Sequence, residues 1–505
     1  MGKLYLGSTE ITPTFPQTEL SIPVWKRPVG WPVLSDINRA SFEGVYFTVD
    51  CTKRKTDGKD WFVAIAVSVT GGYNVERGSV SNGVFTRIGD VVSKTNGSTF
   101  LELTPTDLGD YVVYKVTSTT GNHITDFRFV DYPNYLGNKS LIACWTPVVE
   151  CYGRLPYSIR IYCYRLGFLQ SVSVIDMAAL TNTSSMFSAC FDLQSVDTTG
   201  WDTKSVTNMS SMFANCQKLH FVDTSTWNTA KVTTMASMFS TCKSLIKVDV
   251  SGWNTASVNN MSYLFYLCYC LQQADVSNWN TSKVTTFANI FNGCTYLEYI
   301  DVSRWDTSLS NNLSAVFNNC TCLRSVDVSR WDTGKATTIA NVFSNCPLLE
   351  TVDVSGWNTS LVTTMSQVFY CCYALKYVDV TGWDTSNVTN FQYIFGNCWA
   401  LDGIDISNFS FASATTITYM FYGCSSNTHP IVYNGTSLNT YTFQGCSLTL
   451  SYTFPSTTMV SLATTNAFNG YNSAMKIYVP SNLVNTYKAA TNWSTYASYI
   501  YPIPE

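Results

Sequence analysis

The chain has 505 residues, a formal net charge of −4 at pH 7 and 13% charged residues, about half of the ~25% usual in soluble proteins. Its 46% hydrophobic and 14% aromatic content excludes a disordered, solvating chain, and without a basic field nucleic acid is not an expected partner. No apolar run approaches the roughly 18 residues of a membrane span, so membrane insertion is not expected and the surface must be built from Ser, Thr, Asn and Tyr.

The opening Met1-Gly2-Lys3-Leu4-Tyr5-Leu6 is interrupted by polar residues from Gly7 to Glu10. It lacks the continuous apolar core of a secretory signal, so this end is expected to be retained. Pro13, Pro16, Pro23, Pro28 and Pro32 are five of the chain's 15 prolines, which predicts an extended, polyproline-like arm over residues 1–35. Such an arm gains order only from what it lies against. It is therefore expected to attach the chain to neighbouring subunits, the competing reading being that it lies on its own domain.

Residues 36–164 read as an all-β, sandwich-like domain. Val45–Asp50, Trp61–Val67 and Tyr111–Val116 are β-branched and aromatic runs, separated by Asp57-Gly58, Gly71-Gly72, Asn82-Gly83 and Asn96-Gly97. The three histidines, His123, His220 and His429, fall in different regions, so no Ser-His-Asp or Cys-His site can be drawn. No catalytic residue, cofactor or resident metal is expected.

Residues 165–447 are governed by a repeat. Cys190, Cys216, Cys242, Cys268, Cys294, Cys320, Cys346, Cys372, Cys398 and Cys424 stand 26 residues apart, each with a Phe three positions before it. Seven positions after the Cys comes an Asp (Asp197, Asp223, Asp249, Asp275, Asp301, Asp327, Asp353, Asp379, Asp405), and four further on a Trp, from Trp201, Trp227, Trp253 and Trp279 to Trp383, with Phe409 closing the row. Ten copies at one period predict a solenoid. One coil buries too little apolar surface to offset the ordering of its own chain, so neighbours must cover both its faces.

Within a coil, Leu245-x-x-Val248-Asp249-Val250-Ser251 alternates as a short strand does. Val232, Met235, Met238, Phe239 and Cys242 follow helical spacing, with Asn228-Thr229 placed to cap a short or partly 3₁₀ helix. The expected fold is thus mixed α/β: the arm, the β-domain, a solenoid of ten coils with one parallel sheet and ten helical segments, and a C-terminal cap over 448–505. The row cysteines are expected as small, free core residues rather than zinc ligands or disulfides. The Asp row is expected to face outward with the Ser or Thr two positions on. Its alternatives are a ladder bonding hydroxyls and amides of adjacent coils or a row of calcium ligands. Identical copies offer nothing to split two carboxylate pKa values, which argues against glycosidase chemistry.

The unit F-x-x-C-x-x-L-x-x-V-x-V-x-x-W overlays the leucine-rich-repeat pattern, with Cys in place of a core Leu and Trp in place of the turn Asn. Trp383-Asp-Thr-Ser-Asn-Val388-Thr-Asn and Val206-Thr-Asn-Met209-Ser-Ser-Met212-Phe213 resemble the BspA-like leucine-rich repeats of bacterial surface proteins. Lys476–Pro480 with Tyr487–Trp493 resembles the terminal segment of such proteins. The resemblance implies a binding or adhesive surface and brings no catalytic residues with it. The opening Gly2–Pro13 resembles the starts of structural proteins of phages infecting gut bacteria. The expected function is therefore a non-enzymatic virion surface protein, a phage head or tail fibre or decoration protein. It would attach to other virion structural proteins through its arm, form a homo-oligomer such as a trimer, and present the solenoid to a host surface glycan or protein. The alternative is a bacterial cell-surface adhesin.

Binding specificity is expected where copies differ. Two positions before the Asp the row runs Ser195, Phe221, Lys247, Gln273, Tyr299, Ser325, Thr351, Tyr377 and Gly403; three positions after it stand Arg304 and Arg330 in adjacent coils. Tyr299, Arg304 and Arg330 form the expected contact patch, with Phe221 and Tyr377 as further candidates. The competing reading is that both arginines neutralise Asp301 and Asp327.

Overall fold

The structure is a computed structural model, and it describes residues 4–6, 9–11, 44–50, 62–81, 84–102, 111–120, 124–129, 148–154, 161–162, 171–175, 180–198 and 200–504. The chain divides into two units, Met1–Trp31 and Pro32–Glu505. In the first, β1 (Leu4–Leu6) pairs antiparallel with β2 (Thr9–Ile11). The start of the expected extended arm is thus a hairpin; the rest of residues 1–35 lies outside the described residues.

The β-domain is a sandwich. Strands β3 (Gly44–Asp50), β4 (Phe62–Val69), β5 (Tyr73–Ser81), β6 (Val84–Arg87), β7 (Val92–Lys94), β8 (Gly97–Glu102), β9 (Tyr111–Ser118), β10 (Ile124–Phe129), β11 (Val148–Arg154), β12 (Ile161–Tyr162), β13 (Ser171–Ile175) and β14 (Ser195–Asp197) form two sheets. One runs β12-β10-β4-β8; the other runs β14-β13-β11-β3-β9-β5-β6, with β7 beside β5. Alternate residues Val45, Phe47 and Val49 of β3 and Ile65, Val67 and Val69 of β4 are buried in one core, and Phe47 meets Phe127 of the opposite sheet at 6.3 Å between ring centroids. The larger sheet carries straight into the repeats. β11, β13 and β14 pair in parallel, and β14 already belongs to the first repeated coil. The sandwich therefore covers the apolar end that the first coil would otherwise expose.

The repeats form the expected leucine-rich-repeat solenoid, mostly β in character, and the register read from the strand motif holds: Val248 is buried while Asp249 is partly exposed. Two details differ. The predicted strand pairs only in short pieces, such as Lys247–Val248 with Gln273–Ala274. The continuous parallel column instead joins Asn182, Asn208, Thr234, Asn260 and their successors to Thr416, at the residue before Met209 and its equivalents.

The predicted helices are absent from the described coils. In the segment Met209–Cys216 the N–H groups of Ser211, Phe213 and Asn215 donate to Ala236, Met238 and Ser240 of the next coil at 2.7–2.8 Å. Those of Ala214 and Cys216 close tight turns within the coil, onto Ser211 and Phe213 at 3.0 Å. Ser211 (φ 55°) and Asn215 (φ 64°) sit in the left-handed region, the conformation that the third residue of a type II turn requires. Successive turns place Met209, Met212, Phe213 and Cys216 inward at the same i, i+3, i+4, i+7 spacing that a helix face would give. The inter-coil bonds then decide against the helix, because they occupy donors that a helix needs for itself. The expected capping role of Asn228-Thr229 goes with it. Asn228 closes a local turn by accepting from the Ala230 N–H at 3.1 Å, and the Thr229 hydroxyl is buried against the next coil.

The winding also continues past the boundary expected at residue 447. Ile431–Val432, Ser451–Thr453, Lys476–Val479 and Ile500–Pro502 form one parallel sheet, and Phe468 extends the stack of Phe443 at 5.5 Å. Shorter, irregular coils hide this from a search at one period. Trp493, Tyr487 and Tyr496 close the far end: the Trp493 Nε1–H donates to the Val460 carbonyl at 2.8 Å, and the Tyr496 ring meets Phe468.

Candidate functional site

Each repeated polar residue has a definite task inside the stack. The Asp249 carboxylate accepts from the Ser251 N–H at 3.2 Å and its hydroxyl at 2.7 Å. Asp223, Asp275, Asp301, Asp327, Asp353 and Asp379 do the same with the residue two positions on. These are local turns within one coil. They correct the expectation of a ladder between coils: a short Asp side chain reaches the nearest amide before it reaches a neighbouring coil. The Ser251 bonds hold the Asp249 carboxyl below its usual pKa. Among the described residues no three His, Cys, Asp or Glu side chains gather as a metal cluster.

Thr and Cys side chains add to the backbone bonds between coils. The buried Thr of the W-[DN]-T motif donates to the backbone carbonyl of the next coil, from Thr203 to Thr385, at 2.8–3.0 Å. Cys216, Cys242, Cys294 and Cys346 are free thiols, each donating to the carbonyl of a Phe in the preceding coil at 3.1–3.2 Å. Cys is thus more than a small apolar filler, for it supplies a weak donor where Leu or Ala has none. Burial pushes all four thiols well above their usual pKa, so they are not nucleophiles.

Trp227, Trp253 and Trp279 belong to a stack running from Trp201 to Phe409, with 5.5–6.5 Å between centroids. Trp279 Nε1 donates to the Val250 carbonyl at 3.2 Å, whereas the indole N–H groups of Trp227 and Trp253 are buried without a partner.

The proposed contact residues separate into two groups. Arg304 and Arg330 are exposed and line one open depression of about 450 Å³ together with Asp306 and Asp332. Neither arginine forms an ion pair among the described residues, and Asp301 and Asp327 are engaged by Ser303 and Ser329. The neutralising role is therefore not the one the structure shows. Tyr299 lies outside that depression, half-buried; burial and then the Asp301 and Asp327 carboxylates push its phenol up. Tyr377 is 55% exposed and Phe221 36% exposed.

A different row, one position after the Cys, escaped the sequence reading. It holds Lys243, Tyr269, Tyr373 and Trp399, and Trp399 is 50% exposed. Its signal was present, since this position varies between copies as much as the rows that were chosen. What the sequence did not show is that a turn corner points it outward.

Residues 181–275, 268–352 and 337–447 match the family described as "Mycoplasma protein of unknown function, DUF285", which together is more than half of the chain. The chain belongs to this family. Overlapping the end of the DUF285 match and running past it, residues 414–501 match the BspA type leucine-rich repeat region, described with six copies. This is the irregular C-terminal winding. Among solved structures the chain is similar to a leucine-rich cell surface protein of Faecalibacterium prausnitzii A2-165, with 14% identity, a TM-score of 0.33, and 68% of this chain and 94% of that one covered. A second is TLR13 in its complex with ssRNA13, at 15% identity and TM-score 0.23, covering 64% of this chain and 55% of that one. No curated protein matches the chain.

Proposed function

We propose that the chain is a non-enzymatic surface binding protein whose solenoid presents variable side chains to a host-surface glycan or protein. The observation that carries this is the division of labour in each coil. Core, Thr and Cys positions repeat because every coil must stack on the next, whereas the exposed rows are free to vary and do. Arg304 and Arg330, adjacent, exposed and without an ion pair among the described residues, are what a binding surface needs and a scaffold does not. BspA-type repeats suggest a surface- or adhesion-type protein.

In the finer form of this reading the chain is a phage fibre or decoration protein, attached to other virion proteins through residues 1–35 and presented as a homo-oligomer. Its support is the proline-rich segment, the phage-like opening residues, and the separation of Met1–Trp31 as a unit of its own. The second reading, a bacterial cell-surface adhesin, is favoured by the BspA-type repeats alone. Peptide mass spectrometry of purified particles and of host cell-surface fractions separates the two: recovery with particles supports the first, and recovery with the cell surface alone overturns it. For the patch, replacing Tyr299, Arg304 and Arg330 together by Ala is expected to reduce adsorption to host cells with the thermal melt unchanged. Full adsorption by the folded triple variant would exclude these residues.

A further inference from the structure

Near the C-terminal end of the array three rows of side chains line a shallow, open cleft of about 530 Å³, within the ~300–1,000 Å³ range of small-molecule sites. Its floor is the turn position two residues after the stacked Phe. Most coils carry a side chain there, for example Asn319, Asn345 and Asn397, but the last three carry Gly423, Gly445 and Gly470, all at positive φ. A Cβ on Gly445 would stand 3.2 Å from the Gly423 Cα. The floor is therefore backbone at Gly423, Gly445 and Gly470, with Asn397 at its edge, and the missing side chains of those three glycines leave the cleft open.

One wall is Trp399. One face of its indole is stacked on Tyr373, at 4.0 Å between centroids and 14° between planes. The next residue of that row is Ser425, so among the described residues no second ring stacks on Trp399, and Trp399 and Ser425 both line the cleft. The opposite wall is Tyr422, Gln444 and Asn469. Tyr422 meets Tyr419 edge-on at 5.5 Å, and Tyr419 is stacked between Tyr393 and Tyr441 at 4.5 and 5.0 Å, which fixes that wall in place.

Among the described residues, none that lines the cleft is charged. It offers one flat apolar face, amide donors and acceptors, and a phenol. A ligand matching this set is uncharged, rich in hydroxyl groups, and has an apolar face of its own; those are the properties of a neutral pyranose. A phosphate, a carboxylate or a basic peptide would find no counter-charge there, and an extended apolar peptide would leave the amides unpaired. We infer that the cleft beside Trp399 is a binding site for a neutral oligosaccharide, with one sugar ring stacked on the indole and its hydroxyls held by Gln444, Asn469 and Tyr422. This rests on the surface-binding reading above and names its ligand class and a location apart from Arg304 and Arg330.

The test uses the full chain on an array of short neutral oligomers of glucose, mannose, galactose and N-acetylglucosamine, with sialylated and sulfated glycans alongside, while host-cell adsorption is measured in parallel. Binding to at least one neutral oligomer is expected. Trp399→Ala should weaken it on the order of tenfold. Gly445→Asn should do the same by filling the floor with the residue that other coils tolerate at this position. An Arg304→Ala, Arg330→Ala variant should bind the oligomer as the unaltered chain does. Binding of no neutral glycan, or neutral-glycan binding untouched in both cleft variants, overturns the inference. So does adsorption that Trp399→Ala abolishes but excess free oligomer does not inhibit, since the cleft would then take a protein surface. If the unaltered chain adsorbs to cells but binds no neutral glycan, this inference falls and the surface-binding reading stands; if it does neither, both fall.

Discussion

Thr281 shows how a single residue type joins the coils. Its hydroxyl donates to the Asp306 carbonyl at 2.9 Å and accepts from the Asp306 N–H at 2.7 Å, and the side chain is 1% exposed. Valine has the same shape without the hydroxyl, so Thr281→Val leaves the part-buried Asp306 N–H and carbonyl without this partner. The expected cost is about 2–3 kcal/mol, read as a lower urea midpoint with an unchanged slope. A cost within experimental error of zero would mean that shape alone selects Thr here. At this scale the sequence is legible only in part. The repeated W-[DN]-T triplet shows that the Thr matters, but its side chain could equally have capped a helix. Only the neighbouring coil's carbonyl assigns the bond.

A turn-built segment differs from a helix in what it demands of its residues, and this is testable in the element where the sequence reading went astray. Thr241 sits at φ 63°, in the position that Asn215 and Asn319 hold in other coils. A left-handed conformation costs an ordinary residue about 1–2 kcal/mol and is worst for a β-branched one, whereas Asn adopts it readily. Thr241→Asn is therefore expected to raise stability by about 1 kcal/mol. In a helix the change would be neutral or slightly unfavourable, so the sign of the shift in melting temperature distinguishes the two.

A second element-scale device clamps the last regular coil to the first irregular one. Asp402 accepts from the Thr428 N–H at 2.7 Å and from the Gly403 N–H at 2.9 Å, and it pairs with His429 Nδ1 at 3.0 Å. These bonds, the Thr428 amide first and His429 next, hold its carboxyl down to about 2. A carboxyl depressed in the folded state contributes stability that is fully present above its unfolded pKa of about 3.9 and is lost as pH falls through about 2. Between those values hydrogen exchange in residues 400–430 should rise in the native chain. Asp402→Asn should remove that pH dependence; the same rise in the variant would assign it elsewhere.

At the scale of the whole molecule, the array is a one-dimensional stack in which each coil touches only its neighbours. Deleting residues 309–334 removes one full 26-residue period and brings Phe291 next to Phe343 in the same register. The shortened chain is expected to fold, with its melting temperature within about 5 °C of the parent. Deleting half a period instead sets Phe against outward positions and should prevent folding, seen as reaction of the row thiols without denaturant. If both deletions behave alike, stacking register is not what specifies the fold.

The strict period of Cys, Phe, Asp and Trp determined by itself that this chain is a solenoid, how long each coil is, and which side chains are inside. Those follow from burial, and burial leaves its pattern in the order of residues. The β-sandwich was likewise readable from its runs of β-branched residues and turn signals. Tertiary structure alone decided that inward Met, Phe and Cys positions lie on consecutive turns rather than a helix, because both shapes share one apolar spacing and only hydrogen bonds to the next coil choose between them. It alone showed the irregular coils after Cys446, where core residues persist while the period does not. It also decided where a surface opens: Arg304 and Arg330 line one depression, and Trp399 borders another beside Ser425, because of what the adjacent coils carry 26 residues away. A surface is a relation between coils, and no single stretch of sequence contains it.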